Sequence, residues 1–200
     1  MKKRMIFATG NPDKLREIRM ILSHSEMEII SMKEAGVSDD IIEDGETFEE
    51  NAVIKARTIM ERTGEIVLAD DSGLEIDFLD KAPGIYSARF MGKDTSYEIK
   101  NAVLLEKLSG VPDEERTARF VCAIACAVPD GRILTCNGVM EGIIGYESRG
   151  ENGFGYDPIF YLPECGCYSA ELDPVRKNEL SHRGKALRRM REILLEEGIL

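Results

Sequence analysis

The sequence contains no long apolar segment. Its longest stretch without a charged or strongly polar residue is Phe120–Val128, whereas a helix that crosses a bilayer needs about 20 apolar residues. The first residues, Met1–Arg4, are basic, but the apolar segment after them stops at Thr9 and is too short for a secretory signal peptide. These absences predict a soluble, cytoplasmic protein without a membrane partner.

Metal-binding cysteine motifs are also absent. The five cysteines are an odd number, and their spacing includes neither a CxxC pair nor matching histidines, so we do not expect a zinc site. Buried, reduced thiols are the better interpretation. Cys122 and Cys126 lie on one predicted strand and should face the same side, where they would pack as small apolar groups.

Positive charge is scarce. The chain has 26 lysines and arginines against 37 aspartates and glutamates, and its net charge is -11. Because the basic residues are also dispersed, the protein should repel a nucleic-acid polymer, and we expect no such partner. A small phosphorylated ligand remains compatible with this charge, since a few local cations and a divalent metal can hold a phosphate group.

The length of 200 residues and the hydrophobic content of 43% suit a single domain over residues 1–200. Strands alternate with helices in the first half of the prediction, whereas residues 119–128 and 132–138 should form an antiparallel hairpin. We therefore predict an α/β protein with a mixed, partly antiparallel sheet flanked by helices, arranged as two lobes around a central cleft. Helices are predicted at 14–22, 47–64, 95–110 and 181–197, with a short helix capped by Asp173.

The loop Thr9–Asp13 lies between a predicted strand and the first helix. It offers backbone amides, the positive end of a helix dipole and the cation of Lys14 to an anionic group. The two common phosphate-binding patterns, GxxxxGK[ST] and GxGxxG, are absent. An ordinary connection, with Asn11 as the N-cap and Pro12 at the first helical position, explains the same residues equally well.

Two adjacent aspartates follow the apolar segment 65–69, and Ser72 and Gly73 come directly after them. Side chains alternate along an extended segment, so Asp70 and Asp71 cannot both point at one ligand unless the backbone turns between them. One of the two should carry the chemistry, and the chain should turn at Ser72 and Gly73. A plain Asp-Ser-Gly turn with solvated carboxylates is the alternative, and it is favoured if this stretch is considered alone.

Other stretches also suggest a site. Asn51 and Lys55 are four residues apart on a predicted helix and should project from one flank. Phe154, between two glycines, could stack on a base or be buried in a turn. His182 and Arg183 offer donors at a helix start, although Ser181 could simply cap that helix and leave them solvated. Arg89 supplies another cation, for which a surface salt bridge is the simpler explanation.

Five motifs then occur in a characteristic order along nearly the whole chain. They read TGNPDK, FEENAVIKA, LADDSGLEID followed by APGIYSARF, GFGYDPIF, and SHRGKAL. Their order and spacing resemble those of the inosine triphosphate pyrophosphatase family, also called XTP/dITP diphosphatases, which remove noncanonical purine nucleotides. Asp80 and Lys81 stand where many relatives have Gly-Gly, a difference that affects no proposed catalytic group.

The resemblance implies hydrolysis of ITP, dITP and XTP to the monophosphate and pyrophosphate with Mg²⁺, by a homodimer. It implies that Asp71 is the general base and a metal ligand, that Lys55 is catalytic, and that Glu43 is the second metal ligand. Asp44 and Glu46 lie in the same polar loop, residues 37–46, and are alternatives to Glu43. Asp70 is assigned to structural support. The residues expected around the triphosphate are Thr9, Gly10, Asn11, Pro12, Asp13, Lys14 and Asn51.

Base recognition is implied for the C-terminal half. Phe154 would stack on the purine, and His182 and Arg183 would donate to a 6-keto oxygen, which adenine lacks. The other positions that match substrate contacts of the family are Ser72, Arg89, Gly155, Tyr156, Asp157 and Lys177. Two alternatives remain open: a pyrophosphatase for modified pyrimidine nucleotides, as in the related septum-inhibitor family, and a nucleotide-binding regulator without catalysis.

Overall fold

The computed structural model describes residues 4–22, 27–37 and 41–200. The basic residues 1–3, and residues 38–40 of the predicted polar loop, lie outside this part. The strands within it are β1 (Arg4–Phe7), β2 (Glu28–Ser31), β3 (Ile66–Ile76), β4 (Thr117–Ala127), β5 (Ile133–Ile144), β6 (Phe160–Leu162) and β7 (Cys167–Tyr168). The α-helices are α1 (Pro12–Ile21), α2 (Phe48–Thr63), α3 (Tyr97–Lys107), α4 (Pro174–Leu180) and α5 (His182–Glu196).

The described strands form one seven-stranded sheet in the order β2-β1-β3-β4-β5-β6-β7. Strand β1 is parallel to both β2 and β3, whereas β5 with β6 and β6 with β7 are antiparallel. Backbone bonds at both ends show that β4 and β5 form an antiparallel hairpin: Val128 N–H donates to Arg132 O, and Ile144 N–H donates to Arg116 O, each at 3.0 Å. The predicted mixed sheet with flanking helices is confirmed, and the central cleft stays a prediction.

The described chain divides into two compact units. The first comprises the described residues between 4 and 71, together with 122–138 and 182–200, and the second comprises 72–121 and 139–181. Each has its own apolar core. The core of the first unit includes Met5, Phe7, Ile18, Leu68, Ile124, Leu187 and Met190, and that of the second includes Leu74, Ile76, Leu104, Phe120, Met140, Ile144 and Phe160.

Local capping explains where the helices begin. Asn11 Oδ1 accepts a hydrogen bond from Asp13 N–H at 2.9 Å, and Pro12 stands at the first helical position, as the sequence predicts. Helix α2 begins after Thr47 and ends at Gly64, whose left-handed conformation (φ 65°) suits glycine. Helix α3 begins later than predicted, because its N-cap is Ser96.

The predicted turn after Asp71 is wrong. Strand β3 continues through Asp70, Asp71, Ser72 and Gly73 and ends only at Ile76. Leu74 and Ile76 are fully buried on one side of the strand, so the in-out alternation continues beyond the polar residues. Burial of these side chains therefore outweighs the turn propensity of the Asp-Ser-Gly sequence.

The two strands of the hairpin and strand β7 also differ from the prediction. Strands β4 and β5 extend to Thr117 and Ile144, well beyond the predicted hairpin. A 3₁₀ turn, Asp157–Ile159, directly precedes β6. Strand β7 was not predicted, because two residues give no readable alternation. None of the helices in the described part of the chain is long and apolar enough to cross a membrane.

The cysteines are all free, and the predicted burial holds for three of them. Cys122, Cys126 and Cys136 are buried in the first unit. Cys165 is exposed and Cys167 is only partly buried, so the expectation is wrong for this pair. Cys165 lies in the turn between β6 and β7, where side chains reach the surface, and Cys167 begins β7, a two-residue strand at the edge of the sheet.

The buried thiols should make the protein less stable in alkali. Burial raises the pKa of Cys126 to about 12 and that of Cys136 to about 11, from an ordinary value of 9.0. Above pH 9 the unfolded chain therefore binds fewer protons than the folded protein. The free energy of unfolding should fall by up to about 1.4 kcal/mol per pH unit for each thiol until pH 11.

Urea unfolding at pH 8, 9, 10 and 11 under reducing conditions measures this effect. Cys126→Ala should show a shallower decline than the wild type, whereas Cys165→Ala, which alters an exposed thiol, should keep the wild-type slope. Equal slopes in all three proteins would show that the Cys126 thiol does not contribute to the loss.

Candidate active site

The predicted site residues fall into two groups, one in each unit. Both groups carry carboxylates and cations, and the group in the second unit also carries Phe154 and Tyr156. The first group consists of Thr9, Gly10, Asn11, Pro12, Asp13, Lys14, Glu43, Asn51, Lys55, Asp71, His182 and Arg183. The second consists of Ser72, Arg89, Phe154, Gly155, Tyr156, Asp157 and Lys177.

The loop after β1 leads directly into α1. Thr9 Oγ1 accepts from Asn11 N–H at 3.1 Å, and Asn11 Oδ1 accepts from the first amides of α1. The side-chain oxygen of Asn11 is therefore used as a helix cap. Gly10 is exposed at the tip of this loop, and the role of the loop in binding phosphate stays a prediction.

Asp70 and Asp71 point to opposite faces of β3, as alternation predicts. Asp70 shares its face with Leu68, which packs in the core with α1 and α5. Its Oδ2 lies 3.0 Å from Lys14 Nζ and 3.3 Å from Arg183 Nε. Burial alone would raise the pKa of Asp70, but Lys14 and Arg183 lower it well below its usual range. Asp70 is thus a buried, ionised carboxylate between two cations.

Arg183 is held by a second carboxylate as well. Its Nη1 donates to Glu17 Oε2 at 2.6 Å, and its side chain is buried. Burial opposes the charge, but Asp70 and Glu17 raise the pKa of the guanidinium above its usual value. Nε and Nη1 therefore serve an internal ion network, and the donation by Arg183 to a base stays a prediction. Sequence reasoning missed Glu17, although it lies one turn after Lys14 on the same face of α1.

Asp71 faces α2 on the other side of the strand. Its Oδ2 accepts from Asn51 Nδ2 at 3.1 Å, and its Oδ1 lies 3.7 Å from Lys55 Nζ. Lys55 Nζ also lies 3.1 Å from Glu43 Oε2. The predicted projection of Asn51 and Lys55 from one flank of α2 is thereby confirmed, and it unites two carboxylates around one ammonium group.

The charges of this group are strongly coupled. Burial, and then the negative charge of Glu43, raise the pKa of Asp71 above its usual value, although Lys55 acts in the opposite direction. Burial also disfavours the charge on Lys55, but Asp71, Asp70 and Glu43 raise its pKa. Asp71 is therefore a more basic carboxylate than an exposed aspartate, and Lys55 remains a cation.

Asn51 also connects the polar loop to α2 through a hydrogen bond to Gly45. Its Oδ1 accepts from Gly45 N–H at 2.9 Å, while its Nδ2 holds Asp71. A Cβ atom at Gly45 would lie 2.7 Å from Glu50 Cβ, so only glycine allows this approach. The side-chain amide of Asn51 thus holds both Asp71 and the polar loop at Gly45, a role that the sequence pattern did not reveal.

The donor set of this group fits Mg²⁺. Magnesium takes carboxylate oxygens, usually from one or two residues, and keeps several waters. Glu43 and Asp71 approach the same ammonium group, whereas residues 4–22, 27–37 and 41–200 contain no cluster of three or more His, Cys, Asp or Glu suited to a metal. The contact with Lys55 favours Glu43 over Asp44 and Glu46, and this choice stays a prediction.

In the second unit, the glycine-rich loop 153–157 is organised by Asp157. Its Oδ2 accepts from Phe154 N–H at 2.9 Å and lies 2.7 Å from Lys177 Nζ, and its Oδ1 accepts from Ser169 Oγ at 2.8 Å. Lys177 Nζ lies 5.0 Å from the centroid of the Phe154 ring. An ammonium group thus covers one face of the aromatic ring.

Tyr156 and Arg89, two other predicted substrate contacts, each contact another residue of the second unit. Tyr156 is buried in the core of the second unit and donates its hydroxyl to Ser87 O at 2.7 Å. Burial raises the pKa of that hydroxyl. Arg89 is exposed, and its guanidinium lies 5.1 Å from the centroid of the Tyr86 ring, a contact of a different kind from the salt bridge considered above.

Comparisons with known proteins agree with this pattern. The model of the Ham1 family matches residues 5–193. A curated protein of Desulforamulus reducens named dITP/XTP pyrophosphatase is 50% identical over 191 residues, which cover 96% of this chain and 95% of that protein. The structure of a HAM1 protein from Coxiella burnetii has a TM-score of 0.89 and 44% identity, and covers 97% of this chain and 99% of its own.

A third relative has a more divergent structure. The nucleoside-triphosphatase, or dITP/XTP pyrophosphatase, of Mycobacterium abscessus has a TM-score of 0.76 and 40% identity, over 94% of this chain and 98% of its own. The family match and these full-length similarities confirm the resemblance carried by the five motifs. The chain belongs to the Ham1 family.

Proposed function

We propose that this protein hydrolyses the noncanonical purine nucleoside triphosphates ITP, dITP and XTP to the monophosphate and pyrophosphate, and so removes them from the nucleotide pool. The observation that carries the proposal is the partly buried Asp71 carboxylate, held by Asn51 and Lys55 beside Glu43. The name dITP/XTP pyrophosphatase, borne by a relative that is 50% identical, supports the choice of substrate.

Asp71 would act as the general base. Its raised pKa makes it a better proton acceptor than an ordinary aspartate. It would take a proton from a water molecule that attacks the α-phosphorus. The bond between the α-phosphorus and the bridging oxygen then breaks, and pyrophosphate leaves with the electron pair. Asn51 holds the carboxylate in one orientation throughout.

Lys14 and Lys55 would neutralise the charge of the triphosphate. Each ammonium is held by a carboxylate, Lys14 by Asp70 and Lys55 by Glu43, so each is fixed before the substrate arrives. Fixed cations stabilise developing negative charge without reorganisation, which is the main requirement of phosphoryl transfer. Glu43 and Asp71 would hold Mg²⁺, which, when bound, supplies further charge neutralisation at the phosphates.

Base recognition would fall to Phe154, His182 and Arg183. Phe154 offers an aromatic face for stacking, and the contact with Lys177 fixes the orientation of its ring. His182 and Arg183 would donate to the 6-keto oxygen of hypoxanthine and xanthine, whereas the amino group of adenine would place a donor against donors. A homodimer in the cytoplasm, without nucleic acid or membrane partners, completes the proposal.

A substrate panel tests the proposed activity. Pyrophosphate release should be far faster from ITP, dITP and XTP than from ATP or GTP when magnesium is present, and chelation of the metal should abolish it. Equal rates on all five nucleotides would contradict the specificity. A modified pyrimidine triphosphate that outcompetes ITP would assign a different substrate, and tight ITP binding without pyrophosphate would indicate a regulator.

A further inference from the structure

Three side chains on one face of α3 contact two separate segments of the second unit. Tyr97, Lys100 and Asn101 follow the spacing i, i+3 and i+4, which places them side by side on a helix. They contact the glycine-rich loop 153–157 and the turn Gly84–Arg89. The first segment carries Phe154, and the second carries Arg89. None of the three helix residues belongs to the five motifs.

Asn101 is hydrogen-bonded to the loop that carries Phe154. Its Nδ2 donates to Gly155 O at 3.2 Å, and only 4% of the residue is exposed. Tyr97 packs edge-on against the neighbouring Tyr156, with ring centroids 5.2 Å apart. The Gly155 backbone has a left-handed conformation (φ 71°), so the loop is bent at the point that α3 holds.

Lys100 is hydrogen-bonded to the turn that carries Arg89. Its Nζ donates to Ala88 O at 2.8 Å and lies 4.8 Å from the centroid of the Tyr97 ring, and the residue is 1% exposed. A buried ammonium is costly unless it is hydrogen-bonded, and here its acceptor is a backbone carbonyl next to Arg89. The burial of this charge therefore depends on the position of the turn.

The two segments are also tied to each other. Tyr156 Oη donates to Ser87 O at 2.7 Å, and Ser87 Oγ donates to Gly84 O and accepts from Leu74 N–H of β3 at 2.9 Å. The helix, the loop and the turn are thus joined pairwise. Three bodies joined in this way cannot shift independently, which is the property that a recognition site needs.

We propose that Tyr97, Lys100 and Asn101 are positioning residues for recognition of the purine base, because they hold the Phe154 loop and the Arg89 turn in one arrangement. The proposal deepens the function proposed above and rests on it for the identity of the ligand. The three residues act through the loop and the turn and need no contact with the substrate themselves.

Asn101→Asp is the sharpest test. The aspartate has nearly the same shape as asparagine but cannot donate to Gly155 O, so one contact is lost and an acceptor faces an acceptor. The KM for ITP should rise about tenfold, while kcat stays within about twofold, because uniform binding is lost and the chemistry is not. Lys100→Met should act in the same direction. Ile99→Ala, an exposed position of the same helix, should change neither constant.

Hydrogen exchange in the nucleotide-free protein tests the positioning without any substrate. Asn101→Asp should accelerate exchange of the amides in residues 152–157, and Lys100→Met that of residues 84–89, relative to wild type and Ile99→Ala. If Asn101→Asp does not fold, Lys100→Met still decides the outcome, since it releases the other segment.

The outcomes separate this proposal from the proposed function. Unchanged exchange in these segments, or a loss of kcat and melting temperature at constant KM, would overturn the positioning role. Faster exchange in a protein that does not hydrolyse ITP would support the positioning role and reject the proposed substrate.

Discussion

Replacement of Asp71 by Asn is expected to lower pyrophosphate release from ITP by about 10²–10⁴-fold while the protein remains folded. The amide cannot accept a proton from water, yet it has the size of the carboxylate. It also removes a partly buried negative charge whose pKa is raised by its surroundings, so the free energy of unfolding should not fall. Steady-state kinetics with ITP, together with urea unfolding, measures both effects.

Asp80→Asn is a matched control for this change. Asp80 is exposed and has a left-handed backbone conformation (φ 50°), which asparagine tolerates well. This variant should keep the wild-type rate. If Asp71→Asn also keeps the wild-type rate, Asp71 is not the general base, and the assignment of the first group of residues to catalysis fails.

The same substitution one residue earlier should have the opposite result for stability. Asp70→Asn removes the carboxylate that lies between Lys14 and Arg183 and leaves two cations without their shared partner. Breaking a buried ion pair in this way costs about 3–5 kcal/mol. We therefore expect the free energy of unfolding to fall by about this amount, as measured by urea unfolding at pH 7.

Asp71→Asn and Asp80→Asn serve as comparisons in the same unfolding series, because each exchanges the same two functional groups. A loss below about 1 kcal/mol for Asp70→Asn would mean that its ion pairs contribute no more than a surface pair. Lys14 and Arg183 would then be held by other contacts, and the structural role of Asp70 would be refuted.

Some features of the site follow from local rules, and these were predicted correctly. Side-chain alternation separates Asp70 from Asp71 whatever the rest of the chain does. Helical periodicity brings Asn51 and Lys55 to one flank, and capping chemistry starts α1 after Asn11. These rules involve residues that are near in sequence, so composition and spacing suffice.

Other features could not be predicted because they depend on distant parts of the chain. Arg183 and Asp70 are 113 residues apart in the sequence. Their contact makes the arginine part of a buried ion network, which no local sequence pattern predicts. Strand β3 continues past Ser72 and Gly73 since burial of Leu74 and Ile76 overrides the local turn signal. The role of Lys100 and Asn101 on α3 was not predicted, because it depends on the segments that pack against this helix.

The sequence by itself determined the family through five ordered motifs, the mixed sheet through the order of its elements, and the divergence of two adjacent aspartates through side-chain alternation. The tertiary structure decided the partners: Lys14 and Arg183 for Asp70, and Asn51 and Lys55 for Asp71. The physical reason is that alternation fixes the direction of a side chain, whereas the pKa and role of a carboxylate depend on the charges and burial that packing brings to it.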